Sequence, residues 1–254
     1  MEATLHGKDG RPLPAPPLVL LPGLLCDADV WAGQMDVLSA SAEIVVGEYG
    51  VLDRIERMAR HMLDAVAAPR FALAGHSMGG RVALEMLRIA PERVAGLALL
   101  DTGTGARAAG VAGEEERRGR LELLALAQRD GMAAMARQWA VPMVHPDVVA
   151  TPLFERIVAM VARSDLQRFA AQIEALLERP DAAPVLASVT CPLLLLCGQD
   201  DRWSPPERHQ AMHAQVPHST LCLIDACGHM SPMEQPEAVT QALAAWLKAC
   251  HGGR

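Results

Sequence analysis

Short, wholly apolar runs bounded by turn-forming residues alternate with longer amphipathic stretches over the first hundred positions of the chain. Leu18-Val19-Leu20-Leu21 stops at Pro22-Gly23, Phe71-Ala72-Leu73-Ala74 stops at Gly75, and Leu97-Ala98-Leu99-Leu100 stops at Asp101. Glu43-Ile44-Val45-Val46 is a further run. Such runs are too short for helices and lack polar alternation, so they predict strands buried on both faces. Between them, Val30 to Leu38 and the set Val82, Leu84, Met86, Leu87 and Ile89 show the spacing of a helix with one apolar side. Buried strands alternating with helices specify a parallel sheet in a doubly wound α/β fold.

The alternation breaks from Thr102 to Pro184, where only helical patterns occur. Glu114 to Asp130 opens on acids, which suit a helix N-terminus, and Gly131 punctuates it. Leu153 to Ala162 and Leu166 to Leu177 follow, separated by the capping pair Ser164-Asp165. Strand pattern returns at Pro192 to Cys197 and again at Leu221 to Ile224. A helix is expected over Pro206 to Gln215 and an amphipathic one over Pro236 to Ala249. The expected organisation is an α/β core over 1–101 and 185–254, with 102–184 inserted as a helical cap that is not an independent domain.

Composition narrows the class of partner. In 254 residues, 23 basic side chains stand against 30 acidic ones, a net charge of −7 without any basic run, which argues against nucleic acid or an anionic membrane. No apolar run approaches the roughly 20 residues of a membrane span. The start, Met1 to His6, lacks the basic-then-apolar order of a signal peptide. The cysteines Cys26, Cys191, Cys197, Cys222, Cys227 and Cys250 form no C-x-x-C pair and mostly sit in apolar surroundings, so buried free thiols and a cytoplasmic location are expected. For a monomer and a homo-oligomer alike, the expected partner is a small molecule.

Gly75-His76-Ser77-Met78-Gly79-Gly80 lies where a buried strand gives way to a helix. In that position G-x-S-x-G is a nucleophile elbow: the sharp turn exposes the serine hydroxyl at the sheet edge, and the flanking glycines avoid a clash across the turn. The following helix aims free N–H groups at any oxyanion formed there. The expected oxyanion donors are the N–H of Met78 and, from the loop after the first strand, that of Leu24. A serine nucleophile also needs a base, for which there are nine histidines, and an acid. For the acid, the turn Gly198-Gln199-Asp200-Asp201 offers two adjacent carboxylates.

Five stretches carry a family resemblance: Leu21-Pro22-Gly23, Asp29-Val30-Trp31, Gly75 to Gly80, Gly198 to Asp201 with Pro205, and Gly228-His229 with Glu234-Gln235-Pro236. Together they resemble the α/β-hydrolase superfamily, in particular its small capped carboxylesterase and enol-lactonase branch. The resemblance implies Ser77 as nucleophile, His229 as base and, at the third position past the glycine, Asp201 as acid. It implies hydrolysis of a small or medium carboxylic ester through an acyl-enzyme, without metal or cofactor. Lactonase, carbon–carbon bond hydrolase, cofactor-free haloperoxidase and ligand sensor are the alternatives. This chain departs from many relatives in having Pro22-Gly23 for His-Gly. The short stretch before Leu18 also implies curtailed or missing N-terminal antiparallel strands.

Pocket walls are expected from Leu25, Trp139, Met143, Phe154, Trp203 and Met230. With 8 aromatic rings in the chain (Trp 4, Tyr 1, Phe 3), aliphatic and methionine surface is expected to set selectivity, favouring plain esters. Charged groups reaching Ser77 would instead favour a dicarboxylate or dienone. His209 and His213 have the i, i+4 spacing of a zinc pair but no accompanying glutamate or third ligand, and are read as a solvated helix face. No G-x-G-x-x-G follows a strand and no phosphate-binding G-x-x-x-x-G-K-[ST] occurs.

Overall fold

A computed structural model describes residues 16–252. The apolar runs become six strands: β1 (Leu18–Leu21), β2 (Ile44–Val46), β3 (Phe71–His76), β4 (Val94–Leu100), β5 (Leu193–Gly198) and β6 (Thr220–Ile224). They form one sheet in the order β2-β1-β3-β4-β5-β6. Every pairing is parallel, with Leu20 opposite Ala74, Ala74 opposite Ala98, and Ala98 opposite Leu194. β1, β3, β4 and β5 are buried along their whole length, whereas the edge strands β2 and β6 are largely half-buried. An all-apolar parallel strand needs cover on both faces. Two packed groups of helices supply it. One is α1 (Ala32–Leu38) with α11 (Pro236–Gly252); in the other, α2 (Ile55–Ala65), α3 (Met78–Ile89), α8 (Ala183–Ala187) and α9 (Pro206–Gln215) pack in succession.

Between β4 and β5 the described chain is helical, with α4 (Val111–Asp130), α5 (Met132–Ala140), α6 (Pro152–Ala162) and α7 (Leu166–Leu177) packed on one another. Ion pairs tie this segment to the core: Arg163 meets Asp27 at 2.9 Å and Asp29 at 3.1 Å, and Arg168 meets Glu48 at 2.8 Å. Such exposed pairs contribute about 0–1 kcal/mol each, so apolar burial carries most of the docking.

Several elements differ from the apolar pattern. α2 lies outside the expected helices, because only Ile55, Met58, Ala59, Met62 and Leu63 turn inward among five charged or histidine neighbours. α5 is likewise additional. The helix expected from Val30 begins as a 3₁₀ turn over Ala28–Trp31, capped by Asp27 accepting from the Asp29 N–H at 2.9 Å. α8 packs on α3 and α9. The expected curtailment of N-terminal strands falls on residues 1–15, outside the described residues. All six cysteines are free thiols, and no described helix is long and apolar enough to cross a membrane.

Candidate active site

The strand order reverses between β1 and β3, whose neighbours on either side run outward in opposite directions. In an open parallel sheet the crevice beyond the carboxyl ends at such a point is the natural ligand site. The loop after β1 carries Pro22 to Cys26, and the turn after β3 carries Ser77. Ser77 has φ 54° and ψ −115°, a conformation that costs a residue with a Cβ about 1–3 kcal/mol. Its N–H donates to the Leu100 carbonyl at 2.9 Å, and its own carbonyl accepts from Thr102 Oγ1 at 2.7 Å. A Cβ on Gly75 would collide with the Gly79 carbonyl, and one on Gly79 with the Leu21 carbonyl. The crowding at both flanking glycines is therefore real, and at Gly79 the obstructing backbone belongs to β1.

Three side chains far apart in sequence join in a hydrogen-bonded line. Ser77 Oγ is 2.8 Å from His229 Nε2, and His229 Nδ1 is 2.8 Å from Asp201 Oδ2. Asp201 Oδ1 accepts from the N–H groups of Trp203 at 2.8 Å and Ser204 at 2.9 Å. Burial alone would raise the Asp201 carboxyl, but His229 and those two backbone donors outweigh it and hold it below the usual range. Asp200, by contrast, has a side chain 46% exposed and points toward His145 at 3.7 Å. The turn thus gives its two adjacent carboxylates opposite surroundings. The buried N–H groups of Leu24 and Met78 meet no acceptor among the described residues, and both residues line the same cavity as Ser77.

The loop bearing His229 is held from several sides by groups that sequence reasoning leaves without a role. Glu234 accepts from the N–H groups of Gly228 at 3.1 Å and Met230 at 3.0 Å, on either side of His229, and from that of His145 at 2.7 Å. Burial pushes its carboxyl up, and these three donors pull against that shift. The His229 N–H donates to the Met143 carbonyl at 2.6 Å. Gly228 has no room for a side chain, since a Cβ would sit 2.7 Å from that same carbonyl. His76 Nε2 lies 2.7 Å from the His229 carbonyl; burial, and then neighbouring His229, lower the His76 ring to about 3, so it is neutral and donates there. Asp101 accepts from Gly198 N–H at 3.2 Å and from the Ser231 hydroxyl; burial, then the charge of Asp201, raise its carboxyl well above the usual range. Glu234 lies within a recognised stretch and His76 within the elbow, but no spacing rule connects either with His229.

A cavity of about 490 Å³ opens over Ser77 and His229. Of the six expected wall residues, Trp139, Met143 and Trp203 line it, and the Trp203 ring lies 6.4 Å from that of His229. Leu25, Phe154 and Met230 do not. Leu25 is buried and donates its N–H to Gln172 Oε1 of α7 at 2.8 Å, Phe154 is buried within the helical segment, and Met230 is wholly buried beside the Glu234 clamp. Beside the aliphatic and methionine surface of Leu24, Met78, Leu123, Met143 and Leu176, five arginines that the sequence reading left out, Arg81, Arg120, Arg179, Arg202 and Arg208, also line the cavity. Helix packing gathers these arginines from separate parts of the chain. His209 is a further correction, being buried rather than solvated, with Nε2 accepting from Thr102 N–H at 3.3 Å. His213 bonds Ser219 Oγ through Nδ1 at 2.8 Å, and no cluster of metal-ligating side chains occurs among the described residues.

A model of the Alpha/beta hydrolase family matches residues 18–242. A hydrolase of 2-hydroxy-6-oxononadienedioate and 2-hydroxy-6-oxononatrienedioate from Klebsiella pneumoniae is 26% identical over 227 residues, 88% of this chain and 75% of that protein. The thermophilic esterase of Thermogutta terrifontis, solved with malate bound, superposes with TM-score 0.81 at 28% identity, covering 94% of this chain and 91% of its own. The enol-lactonase of Burkholderia xenovorans shares the fold, with TM-score 0.79 at 20% identity over 98% of this chain and 96% of its own.

Proposed function

Since the chain belongs to the α/β-hydrolase family, we propose that it is a serine hydrolase that cleaves small or medium carboxylic esters through an acyl-enzyme on Ser77. The observation that carries this reading is the continuous line from Ser77 Oγ through both nitrogens of His229 to Asp201, with both contacts at 2.8 Å. Nε2 takes the Ser77 proton as Oγ adds to the acyl carbonyl carbon. The N–H groups of Leu24 and Met78 receive the oxyanion, each contributing about 3 kcal/mol to the transition state. The imidazolium, held by Asp201, then protonates the departing alkoxide as the C–O bond breaks. Water enters next and gives a proton to Nε2 as its oxygen adds to the acyl carbon. Collapse of that second intermediate releases the acid and returns the proton to Ser77 Oγ. The helical segment 102–184 acts as the cap that supplies the outer walls.

The test is turnover of a graded panel of chromogenic esters and lactones, with a fluorophosphonate to label the nucleophile. Ser77→Ala should lose at least about 10⁴-fold in kcat and all labelling while keeping its circular dichroism. Undiminished turnover in that variant would falsify the mechanism. A second reading, hydrolysis of a carbon–carbon bond in an acidic ketone, is favoured by the cationic cavity wall and by the Klebsiella relative named for a dioate substrate. It reuses the same three side chains and is separated from the first by which class of compound the panel turns over.

A further inference from the structure

The protein carries a net charge of −7, yet the cavity over Ser77 gathers five guanidinium groups against the two carboxylates of Glu115 and Glu116, besides the buried Asp101. Glu116 is already engaged, meeting Arg179 at 2.6 Å and Arg120 at 2.9 Å. Those two arginine side chains are only 9% and 14% exposed, so their charges are poorly screened by water. Among the described residues, Arg81, Arg202 and Arg208 have no carboxylate within 4.0 Å. Arg81 donates to the Gly105 carbonyl at 2.8 Å, and Arg208 to the Trp203 carbonyl at 3.2 Å, which orients the two forks without neutralising them. Burial, followed by the like charges of Arg179, Arg208 and Arg120, lowers Arg81 to about 9, so it remains cationic at neutral pH under repulsion from its neighbours. An arriving anion would relieve that repulsion. Trp139 Nε1, buried and without an acceptor among the described residues, belongs to a residue of the same wall.

Arg81 follows Ser77 by four positions, one turn along α3, or about 6 Å of rise. Its planar fork lines the same cavity as Ser77 and suits a carboxylate held away from the carbon that Ser77 attacks. We propose that the cavity selects substrates bearing a free carboxylate away from the bond to be cleaved, and that Arg81 and Arg208 receive it while Glu116 fixes Arg120 and Arg179 behind them. This rests on Ser77 being the nucleophile and narrows the ester class to half-esters of dicarboxylic acids and their keto-acid analogues.

The experiment compares 4-nitrophenyl hydrogen adipate with 4-nitrophenyl hexanoate, six-carbon acyl chains that differ in the terminal carboxylate. Wild-type kcat/KM should favour the adipate at least tenfold. That ratio should fall about tenfold or more in Arg81→Gln and, on a more exposed side chain, in Arg208→Gln. Adipate binding to Ser77→Ala, followed by calorimetry with hexane-1,6-diol as the neutral control, reads the anion site without any chemistry. A ratio near one with no adipate binding overturns the inference, and hexanoate turnover with fluorophosphonate labelling would then show the hydrolase reading intact. Adipate binding that the arginine variants abolish, in a protein that neither labels nor turns over either ester, keeps the anion site and overturns the hydrolase reading. Adipate selectivity that survives both substitutions unchanged rejects the assignment of Arg81 and Arg208.

Discussion

Ser77 holds a left-handed backbone that a serine adopts only under constraint. The constraint comes from hydrogen bonds to Leu100 and Thr102 and from two neighbours that have no side chain to move aside. Gly79 is the tighter of the two in consequence, because a methyl group there meets the backbone of β1, which cannot yield without unpairing the centre of the sheet. Gly79→Ala should therefore cost more than about 3 kcal/mol, the upper range for overpacking. Urea denaturation checks this, and a variant of unchanged stability would contradict the crowding. At the same scale, the choice between Asp200 and Asp201 is decided by which carboxylate the turn buries beside His229. Adjacent identical residues carry no local signal of it.

Between elements, His229 is positioned by a strap rather than by its own loop alone. Glu234 of α10 (Ser231–Glu234) joins the loop on both sides of His229 to His145, and the Met143 carbonyl receives the His229 N–H. The helical segment therefore grips the residue that it covers. Glu234→Gln retains one carbonyl oxygen where two carboxylate oxygens served three donors. It should lower stability by about 1–3 kcal/mol through the unmet donors. A shift of His229 of a fraction of an ångström should also slow kcat by about tenfold or more. Thermal melts and the rate of fluorophosphonate labelling report the two effects separately; a wild-type labelling rate would show that the strap does not position the base.

At the scale of the whole molecule, folding buries histidines that the unfolded chain leaves free to protonate. Burial lowers His209 to about 4, against about 6.5 when unfolded. Above pH 6.5 both states are neutral at this residue and it contributes no pH dependence. Below that, the unfolded state takes up a proton that the folded state refuses, so stability falls as the pH falls toward 4. By pH 5 the loss is about 2 kcal/mol. His209→Gln, which keeps an acceptor for the Thr102 N–H, should narrow the difference in stability between pH 7 and pH 5 by that amount. Denaturant titrations at the two pH values measure it, and an unaltered difference would mean that the ring is protonated in the fold.

The division between what was legible in the chain and what was not follows the range of the forces involved. Buried strands, the elbow and its glycines can be read directly, because a parallel strand demands apolar residues throughout and a sharp turn excludes side chains wherever it occurs. α2 was not legible, since half of its surface faces water and its apolar positions are interleaved with charge. The cavity was the least legible part. Arg81, Arg120, Arg179, Arg202 and Arg208 come from α3, α4, the end of α7, a turn and α9, and nothing local separates them from solvated arginines. The chain by itself determined the sheet and the seat of Ser77, because backbone geometry there dictates residue type. Only the tertiary structure decided which charges face the cavity, because an arginine takes its role from what packing places around it.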